Sequence, residues 1–159
     1  MEAVSALGSV EAYDRAYALY PSPSNAVTFC QANFKLMLES GEPACGEAGA
    51  GGAPFCATER LAKAIRHFGK RIAFIHVRDV AGNREDFMEL FHDQGDTDQF
   101  ALMRTYLELG IDVPIRGDHV PEMAYDRELT PDGTPGYFTL GRLFANGYIK
   151  ALLQGCSCR

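Results

Sequence analysis

The sequence predicts an α/β fold with a parallel sheet. Three observations carry that expectation. Short apolar or β-branched runs of strand length occur at AVTFC, RIAFIHV and DVPIRGD. Each is followed, directly or after a loop, by apolar residues at helical spacing, and repeated strand-then-helix order is the pattern of a parallel α/β sheet. Each run also closes on a side chain that can bind a ligand: Cys30, His76 and Asp118.

The elements follow in order. Residues 9–19 have helical spacing, with Ser9 as N-cap, and the turn residues PSPSN end that helix. Residues 26–30 are a strand, β-branched and aromatic between turn residues. Residues 40–54, SGEPACGEAGAGGAP, are rich enough in Gly, Ala and Pro to read as a flexible loop insert. A helix over 57–68 stops at Gly69. RIAFIHV (71–77) is a nearly continuous apolar run, expected in a strand covered on both faces. Residues 86–93 form a weak short strand, and 97–110 a helix opened by Thr97 and stopped by Gly110. Residues 112–118 are a third short strand, 120–136 a Pro/Gly/Asp-rich loop, and 136–154 a closing amphipathic helix. There is no internal repeat.

Composition narrows the function classes. The 159 residues have the length of one domain, and 47% hydrophobic with 23% charged residues is ordinary globular usage. The 15 basic residues are scattered and outnumbered by 21 acidic ones, giving a net charge of −6, which argues against a nucleic-acid partner. No apolar stretch reaches the ~18 residues of a membrane span, and the acidic N-terminus does not resemble a secretion signal, so a cytoplasmic protein without membrane association is expected. Five cysteines, odd in number and irregularly spaced, do not suit a disulfide framework, and reduced thiols are expected.

In parallel α/β folds ligands bind beyond the carboxyl ends of the strands, so Cys30, His76 and Asp118 should converge on one rim. A thiolate, an imidazole and a carboxylate together suit a divalent transition metal and leave Zn, Fe, Mn and Co open. Each residue also has an ordinary reading, as a core cysteine, a capping histidine or a turn aspartate. His119 stands beside Asp118 as a candidate acid/base, its alternative being a surface-loop histidine. Arg78 and Arg116 lie two residues from His76 and Asp118, on the same strand faces, and are candidate clamps for a substrate carboxylate. Their alternative is an ion pair with Asp79, Glu89 or Asp118. Tyr137, at the start of the closing helix, is a candidate second acid/base or a packed ring. His92, Asp93 and Asp96 are weaker candidates for supporting the site. The tripeptide Arg116–Gly117–Asp118 also spells an adhesion motif, but it directly follows an apolar strand.

Residues 26–154 resemble the C-terminal portion of the mannonate dehydratase family, through PSPSNAVTFCQ, FGKRIAFIHVRDV, FMELFHDQGDTD, RGDHVPEM and PGYFTLGRLFANGYIKALL in that order. The resemblance implies a xylose-isomerase-like TIM (β/α)8 barrel, of which residues 1–159 are one incomplete domain. It implies conversion of D-mannonate to 2-keto-3-deoxy-D-gluconate and water with Mn2+ or Fe2+. It implies Cys30, His76 and Asp118 as metal ligands, His119 and Tyr137 as catalytic groups, and substrate binding near Arg78. Where the family usually has proline this chain has Gly117, and the part of the barrel that supplies another histidine ligand is not in this sequence. An incomplete barrel has open strand edges, so homo-oligomerisation or association through those edges is expected. A sugar isomerase or epimerase on the same barrel, and a non-catalytic remnant, are the alternative functions.

Overall fold

The computed structural model describes residues 7–39 and 52–157. The described chain begins with helix α1 (Val10–Leu19), in which the Ser9 hydroxyl accepts the N–H of Ala12 at 3.2 Å as a side-chain N-cap. Strand β1 (Val27–Cys30) leads straight into α2 (Gln31–Glu39). Helix α3 (Gly52–Phe68) passes through a 3-10 turn at Gly69–Arg71 into β2 (Ile72–Val77). A hairpin of β3 (Asp79–Gly82) and β4 (Phe87–Leu90) follows, then α4 (Gln99–Glu108), β5 (Ile115–Gly117), the short α5 (Asp126–Leu129) and α6 (Thr139–Ser157).

The expected parallel sheet is present. Strand β2 lies between β1 and β5, parallel to both, and β1 and β5 each pair on one side only among the described residues. Register places Phe29, Ile75 and Val77 on one face, and these residues are buried against the helices. Phe29 stacks on Phe34 at 4.2 Å between ring centroids, and Phe68 and Tyr106 meet it edge-on. Such ring pairs add ~0.5–1.5 kcal/mol each to the area they bury. The other face carries Thr28, Cys30, Phe74, His76 and Arg116, and among the described residues no helix layer covers it: Thr28 is exposed and Phe74, His76 and Arg116 are half-buried. Among the described residues strand β2 is therefore covered on one face, not on both as its apolar run suggests.

Other expectations shift in detail. The α4 N-cap is Asp98, whose carboxylate accepts the Ala101 N–H at 3.0 Å. Thr97 instead donates its hydroxyl to Asp79 at 2.9 Å. The proposed loop at 40–54 falls outside the described residues as far as 51, and the chain is helical from Gly52. Residues 120–136 are mostly irregular as expected but include α5. Cys56 is disulfide-bonded whereas Cys30 is a free thiol, so the thiols are not all reduced. An odd cysteine count excludes complete pairing, not a single bridge. No described helix is long and apolar enough to cross a membrane.

Candidate metal centre at the strand ends

The three strand-end residues converge. Cys30 closes β1 beside His76 of β2, His76 lies beside Arg116 of β5, and Asp118 follows one residue beyond Gly117. One ligand atom from each of Cys30, His76 and Asp118 lies within 4.8 Å of the others. The Asp118 backbone N–H donates to Val77 O at 2.8 Å, prolonging the β2–β5 pairing far enough to hold the carboxylate over the sheet end.

The two oxygens of Asp118 face different neighbours. Oδ2 lies 3.5 Å from His76 Nδ1 and 3.9 Å from Cys30 Sγ. Oδ1 accepts a hydrogen bond from Arg116 at 3.0 Å and from the Tyr137 hydroxyl at 2.9 Å. Burial alone would raise the Asp118 pKa, but Arg116, Tyr137 and the two nearby imidazoles outweigh it and hold the group below its ordinary value. Burial pushes the Cys30 thiol up and the His76 imidazole down. An ionised carboxylate beside a neutral imidazole and a buried sulfur is a donor set that fits a divalent transition ion, which would draw the proton off the thiol on binding.

The remaining candidates surround this cluster. The His119 ring lies 4.7 Å from the Tyr137 ring, edge to face, and its Nδ1 faces Glu89 at 3.6 Å. Tyr137 sits two residues before α6, after Gly136, whose positive φ of 85° turns the chain back over His119. Burial, followed by donation to Asp118, keeps the Tyr137 phenol above its ordinary pKa. Arg78 donates to Glu89 from Nε at 2.8 Å and from Nη2 at 2.6 Å, and to Asn33 from Nη1 at 2.9 Å. Both arginines thus already hold carboxylates: Arg78 pairs with Glu89 and Arg116 with Asp118. The adhesion motif is not displayed, because Gly117 and Asp118 are buried.

Among the weaker candidates, His92 is fully buried behind the rim, its Nε2 2.7 Å from the same Val77 O that receives the Asp118 N–H. Asp96 faces away and pairs with the buried Lys35 at 3.0 Å. In the sequence Glu89 stands out only as an alternative ion-pair partner for the arginines, and Asn33 not at all. Glu89 enters on β4, a strand of only four residues, and Asn33 on α2, which lacks a helix-start signal. A cavity of about 310 Å3 opens beside Cys30 and is also lined by Tyr13, Thr28, Asn33 and Arg84.

Fold and site together define an α/β protein with a candidate metal centre at the carboxyl ends of parallel strands. Residues 5–158 match the family model for D-mannonate dehydratase (UxuA), and the chain belongs to that family. The mannonate dehydratase of Saccharophagus degradans is 32% identical over 145 residues, covering 84% of this chain and 32% of that protein. Mannonate dehydratase 2 of Halalkalibacterium halodurans is 29% identical over 150 residues, covering 91% of this chain and 36% of that protein. The crystal structure of mannonate dehydratase from Streptococcus suis serotype 2 superposes with a TM-score of 0.70 at 23% identity, over 92% of this chain and 36% of that one, a likeness of fold. The chain spans about a third of the length of these relatives.

Proposed function

We propose that the chain carries the metal-binding rim of a mannonate dehydratase, converting D-mannonate to 2-keto-3-deoxy-D-gluconate and water. The observation that carries the proposal is the convergence of Cys30, His76 and Asp118 within 4.8 Å at three adjacent strand ends, in a chain of this family. Its sheet is read as part of a (β/α)8 barrel, consistent with one uncovered face and two unpaired strand edges among the described residues. Those edges would associate with further strands, supplied by a second copy or by the remainder of the barrel.

Cys30, His76 and Asp118 would hold Mn2+ or Fe2+, whose charge at the substrate carboxylate and an adjacent hydroxyl would lower the cost of the negative charge developing at C2. Removing the C2 proton needs a base, and His119 supplies an imidazole at the rim. Loss of the C3 hydroxyl needs a proton donor. Tyr137 fits, because its raised pKa keeps the phenol protonated at neutral pH. The electron pair left at C2 forms the C2–C3 double bond as hydroxide leaves with the Tyr137 proton as water, and the resulting enol tautomerises to the 2-keto acid. Arg78 and Arg116 would meet the substrate carboxylate by sharing donors now given to Glu89 and Asp118.

The test has two stages. Metal analysis of the purified wild type beside Cys30→Ala and His76→Ala should show bound metal only in the wild type; equal metal in all three would refute the centre. The metal-loaded chain is then incubated with D-mannonate, with and without the rest of a family barrel as a separate polypeptide. A 2-keto-3-deoxy acid is the expected product, and its absence in the completed mixture would refute the activity.

A further inference from the structure

Glu89 has no part in the chemistry above, yet it is the charged group on which that side of the rim converges. The β3–β4 hairpin carries it there: Glu89 pairs with Val80 across the hairpin, and Asn83 closes the turn by accepting the N–H groups of Glu85 and Asp86 at 2.9 and 3.1 Å. Its carboxylate is three-quarters buried, takes two hydrogen bonds from Arg78, and presents Oε2 to His119 Nδ1 at 3.6 Å. That distance is long for a hydrogen bond but short for attraction between a carboxylate and a ring N–H, and such contacts tighten on substrate binding. The other sides of the ring are also held. Tyr137 meets it edge-on, and Gly136 approaches so closely that a Cβ there would lie 3.3 Å from the imidazole.

We propose that Glu89 is a positioning residue for His119: by facing Nδ1 it keeps the hydrogen on that nitrogen and leaves Nε2 as the atom that receives the substrate proton. A carboxylate behind one imidazole nitrogen selects the tautomer with hydrogen on that nitrogen and fixes the ring orientation. Arg78, held on both edges of the Glu89 carboxylate and anchored to Asn33 at 2.9 Å, keeps the carboxylate in place. The inference rests on the reading of His119 as the base, but the ring state it specifies can be measured without any turnover.

The experiment is nitrogen NMR of the histidine-labelled 159-residue chain: wild type, Glu89→Gln, Glu89→Asp, and His119→Gln to assign the resonances among the four histidines. In the wild type His119 should show a protonated-type Nδ1 and a bare-type Nε2. Glu89→Gln removes the charge while keeping the shape, and both His119 nitrogens should move to averaged positions; identical His119 resonances in the two proteins overturn the proposal. If Glu89→Gln loses its folded amide spectrum, Glu89→Asp decides, since its shorter reach should shift His119 part of the way, and no shift again overturns the proposal. In an active, completed enzyme Glu89→Gln should lower kcat by about 10- to 100-fold with KM little changed. A wild type with the expected His119 resonances but no keto acid would refute the dehydratase reading and leave the positioning role standing. Turnover with His119 indifferent to Glu89 would do the reverse.

Discussion

Replacing Asp79 by asparagine should remove a pH slope from the folding equilibrium. Asp79 opens β3 directly behind the rim and is 1% exposed. Its Oδ1 accepts the Val80 N–H at 3.0 Å and the Thr97 hydroxyl at 2.9 Å, while Oδ2 has no partner among the described residues. Burial is the largest influence and raises its pKa from 3.8 to about 7. Below pH 3.8 both folded and unfolded states hold the proton, and the group is neutral in its effect. Between 3.8 and about 7 the unfolded chain gives up the proton and the folded one keeps it, so stability falls as pH rises and levels off above the folded value. A shift of about three units at ~1.4 kcal/mol each amounts to about 4 kcal/mol lost between pH 4 and 8. Asparagine does not titrate. The assay is urea denaturation of both proteins at several pH values across that window, where groups common to both cancel in the difference. The asparagine variant should gain about 4 kcal/mol on the wild type from pH 4 to 8, whatever constant offset the buried amide introduces. A difference that stays flat, or runs the other way, would mean that Asp79 is ionised in the folded protein.

Gly117→Ala should destabilise the chain by about 1–3 kcal/mol, because a Cβ there would lie 2.8 Å from the Ala145 Cβ on α6; Ala145→Gly in the same chain should recover most of the loss in a denaturant titration. Lys35→Met should cost about 1–3 kcal/mol, since it strips the donor from Gly82 O at 2.6 Å and from Asp96 at 3.0 Å; thermal unfolding checks this, and a more stable variant would refute the clasp. Tyr137→Phe should keep the metal while losing about 0.5–1.5 kcal/mol with the hydrogen bond to Asp118. Metal loss in that variant would show that the phenol is needed to hold the carboxylate in place.

The parallel sheet and the convergence of Cys30, His76 and Asp118 were legible because strand ends are marked by local features: apolar runs that stop on a polar residue, followed by helices. What failed to show was structure whose cause lies elsewhere in the chain. Helix α2 has no Ser, Thr, Asp or Asn to announce its start, because β1 runs directly into it through Cys30, and its Lys35 is buried by a partner 61 residues away. Of the β3–β4 hairpin the sequence marked only β4, within the weak strand at 86–93; β3, four residues long, is too short for periodicity to mark. Thr97 looks like an N-cap beside Asp98, and the choice between them is made by Asp79, which takes the Thr97 hydroxyl. For Arg78 and Arg116 the sequence posed the right alternatives, a free clamp or an ion pair, but pairing depends on where Glu89 and Asp118 arrive in space.

The single covered face of the sheet also sets the dielectric of the centre. His76 and Arg116 lie on the open face and retain 19% and 38% side-chain exposure, so water screens the attraction between Asp118 and any cation placed among these groups. Covering that face would remove the screening and strengthen every charge interaction at the rim with no residue changed. Cation affinity at this centre is therefore a property of what lies against the sheet as much as of its three ligands. It should rise with each layer of polypeptide that keeps solvent away.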